Sequence, residues 1–143
     1  MKNYKTFKYF LFLNIAFFLI PYASTHSLEE AVNSKDRSVK NVKRDQYRNP
    51  YETLSFFEIQ QDMKVVELSP GGGWYTEILA NYIHAPGMLI AAHFDKNSER
   101  AFYVRMRNNF ENKINQNPIY KNVSIVDLSS KLAEAETVDA GLT

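Results

Sequence analysis

The stretch that most constrains this chain runs from Lys64 to Leu79: Lys-Val-Val-Glu-Leu-Ser-Pro-Gly-Gly-Gly-Trp-Tyr-Thr-Glu-Ile-Leu. Val65, Val66 and Leu68 form a short β-branched apolar run, the pattern of a buried strand. Three glycines, Gly71, Gly72 and Gly73, follow almost at once, and Trp74, Ile78, Leu79 and Tyr82 then recur at helical spacing. The order is strand, glycine-rich turn, helix, with the carboxylate of Glu67 near the carboxyl end of the strand. A glycine turn lets the backbone bend tightly and lets a ligand lie against it. The helix that follows presents unpaired N–H groups and a positive dipole end. In an open α/β sheet, ligands sit just outside the carboxyl ends of the strands.

Missing residues narrow the ligand. A dinucleotide fingerprint starting at Gly71 needs a third glycine at position 76, where Thr76 stands, and no Gly-Lys-Ser/Thr triplet of a phosphate-binding loop occurs. Glu67 followed two residues on by Ser69-Pro70-Gly71-Gly72-Gly73 resembles the first motif of class I S-adenosylmethionine-dependent methyltransferases. In that family the loop surrounds the methionine part of the cofactor, and a glycine is usual where this chain has Ser69. Two blocks, Arg44-Asp45-Gln46-Tyr47-Arg48-Asn49-Pro50-Tyr51-Glu52-Thr53-Leu54-Ser55-Phe56-Phe57 and Pro70-Gly-Gly-Gly-Trp-Tyr-Thr-Glu-Ile-Leu-Ala80, resemble a group of bacterial methyltransferases that typically carry a secretion signal. The likeness extends from about Ala31 to the last residue. It implies a Rossmann-like methyltransferase fold, S-adenosyl-L-methionine as cofactor, and Glu67, Ser69, Pro70, Gly71, Gly72 and Gly73 as cofactor-binding residues.

The N-terminus reads as a targeting segment. Lys2, Lys5 and Lys8 precede an apolar core from Tyr9 to Ile20, and Ala23, Ser24 and Thr25 follow it. This is the layout of a secretory signal peptide, so residues 1–23 are assigned to one and the product is expected to be exported to the periplasm. The core is short of the ~20 residues of a membrane span; an uncleaved N-terminal anchor is the alternative. The chain has no cysteine, which excludes a lipoprotein anchor. Without the signal segment it carries 14 basic and 16 acidic residues, a balance that points to no nucleic-acid or anionic-membrane partner.

Residues 24–49 are polar, with Leu28, Ala31 and Val32 suggesting one short helix. Arg37, Arg44 and Arg48 lie there beside Asp36 and Asp45. They read either as a solvated face with weak ion pairs or as a lid with Tyr47 and Arg48 on the ligand. Residues 50–143 make the partial methyltransferase-like domain. Asn49-Pro50 suits a helix start, and Tyr51, Leu54, Phe56 and Phe57 give an apolar stripe expected to pack on the sheet. Pro86-Gly87 ends the helix after the glycine turn. Met88–Phe94 reads as a second strand ending at Asp95, 22 residues beyond Gly73, where an acid meets ribose hydroxyls in nucleotide folds. His93 reads as a strand residue with a satisfied ring. Ser98 is placed to cap a helix whose Phe102, Met106, Phe110 and Ile114 face the core, with Arg100, Arg105, Arg107 and Glu111 on other faces. Val123–Leu128 is a third strand, with Asp127 either facing a loop or reaching the adenine amino group. Lys131–Glu136 is a polar connector, and a fourth strand begins at Val138. The expected architecture is therefore α/β: a parallel βαβαβ half plus the start of a fourth strand.

In the resembling family, further strands and helices follow that point, so the chain is expected to be a C-terminally truncated half with a sheet edge open to self-association. Methyl transfer needs positioning and desolvation more than a catalytic base, and none is assigned. The acceptor is expected to be a small molecule. No metal-ligand cluster and no Gly-x-Ser-x-Gly elbow occurs. Trp74 and Tyr75 either line the sulfonium pocket by cation–π contact or pack into the core. A non-catalytic exported binding module, or an inactive fragment, is the rival to an enzyme.

Overall fold

A computed structural model describes residues 26–128 and 139–142. The signal segment, the connector 131–136 and Val138 lie outside these residues. Four short helices come first, α1 (Leu28–Val32), α2 (Val39–Val42), α3 (Asp45–Arg48) and α4 (Pro50–Phe56). Strand β1 (Lys64–Leu68), helix α5 (Trp74–Tyr82), strand β2 (Met88–His93), helix α6 (Ala101–Gln116), a 3₁₀ turn (Pro118–Tyr120), and strands β3 (Val123–Asp127) and β4 (Ala140–Leu142) follow. Ser27 starts α1 with a reciprocal capping box: Glu30 N–H donates to its hydroxyl at 3.1 Å, and its own N–H donates to Glu30 Oε2 at 2.7 Å.

All four strands are parallel, in the order β3-β2-β1-β4. This is the strand order of the first half of a Rossmann-like sheet plus its fourth strand. Val66 pairs with Ile90 on one side and with Gly141 on the other. The chain winds outward from β1 through β2 to β3, then returns to the opposite side of β1 as β4. That reversal makes the crevice at the carboxyl ends of β1 and β4 the topological switch point.

Side chains alternate across a strand, and the parity sorts the core. Val65 and Leu89 join Ile78, Leu79, Ile83, Leu54 and Leu142 on the face covered by α5, while Ala91 meets Phe110, Ile114 and Tyr120. Val66, Ile90 and Ala92 cluster on the opposite face. Glu67, His93 and Asp127 share the parity of the helix-covered face and stand at or near the strand ends, so all three turn towards α5 and α6.

Several expectations change. Helix α6 starts after Arg100 rather than at Ser98, whose hydroxyl accepts from Arg100 N–H at 3.2 Å. Of the Tyr51–Phe57 stripe only Leu54 is buried; Tyr51, Phe56 and Phe57 are exposed, because α4 packs on α1 and only its Leu54 side enters the core cluster. On α6, Phe102 is exposed and Arg107 is buried instead. Arg107 donates to Glu111 at 2.7 Å, to Asp127 at 2.8 Å and to the Phe94 carbonyl at 2.9 Å, which compensates the buried charge. Asp127 is thus an ion-pair partner on the helix side rather than a loop carboxylate. The segment before α4 is largely exposed, Arg44 and Arg48 included, but it is not solvated throughout. Arg37 is buried and forms a two-bond pair with Asp45 at 2.6 and 2.8 Å, and Ser34 donates to Asn81 while Ser38 N–H donates to Glu77. These contacts lay the segment over α5, eight of whose nine residues are buried between it, the sheet and α6.

Candidate functional site

Beyond Leu68 the chain turns through Ser69–Gly73 into α5. The turn places Ser69, Gly71 and Gly73 in the left-handed region, at φ 54°, 58° and 77°. Ser69 N–H donates to the Ala92 carbonyl at 2.9 Å, tying the turn to β2, and Gly73 N–H closes it on the Pro70 carbonyl at 2.8 Å. A left-handed serine is disfavoured by roughly 1–2 kcal/mol, and glycine loses about 0.5–1 kcal/mol through its freer unfolded chain. Ser69→Gly is therefore expected to raise stability by about 0.5 kcal/mol in urea unfolding; a decrease would show that the hydroxyl makes a compensating interaction.

Three successive carbonyls of the turn are held from the protein side. His93 Nε2 lies 3.2 Å from the Gly71 oxygen, and Lys113 Nζ donates to the Gly72 and Gly73 oxygens at 2.8 and 3.3 Å. Because His93 Nδ1 accepts from Phe94 N–H at 2.7 Å, the ring proton sits on Nε2, facing Gly71. Burial pushes the imidazole pKa down, so the ring is neutral. Lys113 also pairs with the buried Glu77 at 2.7 Å. In a planar trans peptide the carbonyl and the next N–H point opposite ways. Holding the Gly71 and Gly73 oxygens against His93 and Lys113 therefore aims the Gly72 and Trp74 N–H groups at the open side of the turn.

Glu67 is 2% exposed. Its Oε2 accepts from the Thr76 hydroxyl at 2.5 Å, so the strand carboxylate caps the first turn of α5. Here lies the reason for Thr76 where a dinucleotide fold has glycine: a glycine has no hydroxyl to give. Burial pushes the Glu67 carboxyl up to about 7, against the lowering effects of the Thr76 hydroxyl and amide and of Lys113.

A cavity of about 300 Å³ opens over the turn. Glu67, Ser69, Pro70, Gly71 and Gly72 line it, together with Trp74, Tyr75, Arg44 and Arg48. The Trp74 and Tyr75 rings meet edge to face at 4.5 Å, and the Arg48 guanidinium lies 4.9 Å from the Trp74 ring centroid. Gly73 is buried away from the cavity; a Cβ there would come within 3.0 Å of the Phe110 ring. Asp95 lies two residues past β2, half-buried, its Oδ1 accepting from Asn97 N–H at 2.8 Å, and it does not line the cavity. Tyr47 is exposed and also stands apart from it. A larger cavity of about 460 Å³ between α1, α3 and α4 includes no residue of the sheet or its turns. The cavity at the strand end and glycine turn is therefore the candidate site.

Lys113 and His93 as carbonyl anchors were not singled out as site residues by sequence reasoning. The available signal for Lys113 is its place one residue before Ile114 and three after Phe110, on the margin of the helix face that covers the turn.

This is an α/β domain of Rossmann-like strand order with a glycine turn and an acidic strand end at its switch point. No known protein family matches the chain, and no curated protein does. Among solved structures it is similar to a SAM-dependent methyltransferase from Aquifex aeolicus, at 19% identity and a TM-score of 0.48, covering 72% of this chain and 47% of that one. It is also similar to Aeropyrum pernix fibrillarin in complex with natively bound S-adenosyl-L-methionine, at 13% identity and a TM-score of 0.43, over 57% of this chain and 33% of that one. A protein-L-isoaspartate O-methyltransferase is similar at 12% identity and a TM-score of 0.46, over 64% and 27% respectively. The chain thus spans less than half the length of each.

Proposed function

We propose that this chain is the cofactor-binding half of an S-adenosylmethionine-dependent methyltransferase acting on a small molecule. The observation that carries the reading is the glycine turn at the switch point, bare on its open side. A Cβ added at Gly72 would meet nothing within 4 Å, and one at Gly71 only the Ser69 oxygen at 4.0 Å. Such a thin backbone surface suits a ligand that lies flat against it. The Gly72 and Trp74 N–H groups are directed to hold a carboxylate or other acceptor of hydrogen bonds at the helix N-terminus. The half-buried Tyr75 ring beside the turn is the aromatic surface left for a cation, since the Trp74 ring is buried beneath the Arg48 guanidinium. Once bound, the cofactor supplies an activated methyl group on a sulfonium. The chain's own part is to orient that group and exclude water, since in-line transfer asks mainly for positioning.

A second reading is a non-catalytic binding module of the same fold. It is favoured by the state of Glu67, the acid that lines the cavity, which is engaged in capping α5.

The test is calorimetric titration of the full chain with S-adenosylmethionine, with NAD as control ligand. Saturable binding of the first alone is expected. Because Gly72 has open space around it, Gly72→Leu is expected to leave the unfolding midpoint unchanged and to weaken binding at least tenfold. A folded sample that binds no S-adenosylmethionine would overturn the reading. Turnover against small acceptors would then separate enzyme from binding module.

A further inference from the structure

We infer that Arg44 and Arg48 form an anion subsite on the wall of the glycine-turn cavity, taking a carboxylate or phosphate group of the molecule bound there. The inference rests on the cavity being a ligand site, but not on the identity of the cofactor. Both arginines line the cavity, four residues apart at the start and end of α3. Among the described residues, ion pairs involve Arg37, Arg107 and Lys113, and neither Arg44 nor Arg48 has a carboxylate partner. The acids around them are engaged elsewhere. Asp45 holds Arg37 and accepts from the Trp74 indole, and Glu67 accepts from Thr76.

The helix that carries both arginines is held in place, and so is the Arg48 side chain. Trp74 Nε1 donates to the Asn41 carbonyl and to Asp45 Oδ1, both at 3.0 Å. Asp45 is fixed in turn by the buried Arg37. This chain of bonds fastens α3 to the first turn of α5, and the Arg48 guanidinium stacks on the same indole. A pre-organised guanidinium such as that of Arg48 loses less freedom on binding. On the facing side the Gly72 and Trp74 N–H groups and the dipole end of α5 add positive potential. Two planar forks and a helix N-terminus converging on one cavity match a carboxylate or phosphate, which both can hold with two bonds.

Trp74 is the single tryptophan, so its fluorescence reports the subsite directly. The full chain is titrated with inorganic phosphate at constant ionic strength, with chloride as compensating salt and calorimetry in parallel. A saturable change is expected, weakened at least tenfold in Arg44→Gln, with far-UV circular dichroism showing that the variant is folded. Arg48→Lys, which keeps the charge and loses the fork, is expected to weaken phosphate several-fold. Two arms separate the sources of the anion. Displacement of phosphate by S-adenosylmethionine but not by 5′-methylthioadenosine assigns the subsite to the cofactor's carboxylate. Phosphate binding undiminished at saturating S-adenosylmethionine assigns it to an anionic acceptor. No saturable phosphate effect, or an unchanged titration in folded Arg44→Gln, would overturn the subsite. A chain that binds phosphate but no S-adenosylmethionine keeps the subsite and loses the methyltransferase reading.

Discussion

Gly87→Ala is expected to destabilise the domain by about 3 kcal/mol, at the upper end of what overpacking usually does. A Cβ at position 87 would stand 2.5 Å from the Gln61 carbonyl oxygen, 2.9 Å from the Asp62 carbonyl carbon and 2.9 Å from the His84 oxygen. All three are backbone atoms, so no side chain can swing aside to make room. The same atoms carry the junction: His84 N–H donates to Gln61 at 2.9 Å, Gly87 N–H to His84 at 2.7 Å, and Met88 N–H to Met63 at 3.1 Å. Making space for a methyl group would push the entry of β1 away from the start of β2. Gly141→Ala is the control, since a Cβ there meets nothing within 4 Å; it should lie within about 0.5 kcal/mol of wild type. Urea-unfolding midpoints decide it, and a Gly87→Ala variant as stable as the control would show that the junction yields.

The second large effect concerns pH. The Glu67 carboxyl titrates near its ordinary value, 4.5, in the unfolded chain and at about 7 in the folded one. Across that interval the folded state holds a proton that the unfolded state has released. Stability is therefore full below pH ~4.5, falls as pH rises towards 7, and then levels off. The shift corresponds to a loss of about 3 kcal/mol from this group. Glu67→Gln keeps an oxygen to accept from Thr76 and cannot ionise. It should match wild type near pH 4 and exceed its stability by about 3 kcal/mol at pH 8. Unfolding free energies across pH 4–8 test this; a slope that survives in Glu67→Gln would assign it to other groups.

Glu67 also shows how far sequence reasoning reaches. Its position at a strand end beside a glycine turn was legible, because period-two alternation and the glycine run are local. The same parity rule, carried one step further, turns Glu67 towards α5, His93 towards the turn and Asp127 towards α6. What parity cannot say is which partner waits there. Thr76, Phe110, Lys113 and Arg107 come from helices whose docking depends on the whole sheet.

By itself, then, the sequence determined the succession of elements: strand, turn, helix, strand, helix, strand, and the start of a fourth strand. Apolar periodicity and the punctuation of Gly71–Gly73 and Pro86-Gly87 act over a few residues and need no distant partner. The tertiary structure alone decided three things. It set β4 beside β1, which creates the switch point, since strand order arises from long-range pairing. It folded residues 27–49 over α5, because burying Arg37 required Asp45 and the Val32 carbonyl to close around it. And it brought Arg44 and Arg48, more than twenty residues before the glycine turn, to the wall of the same cavity. Charge patterns along a chain read as solvated until packing reveals what they face.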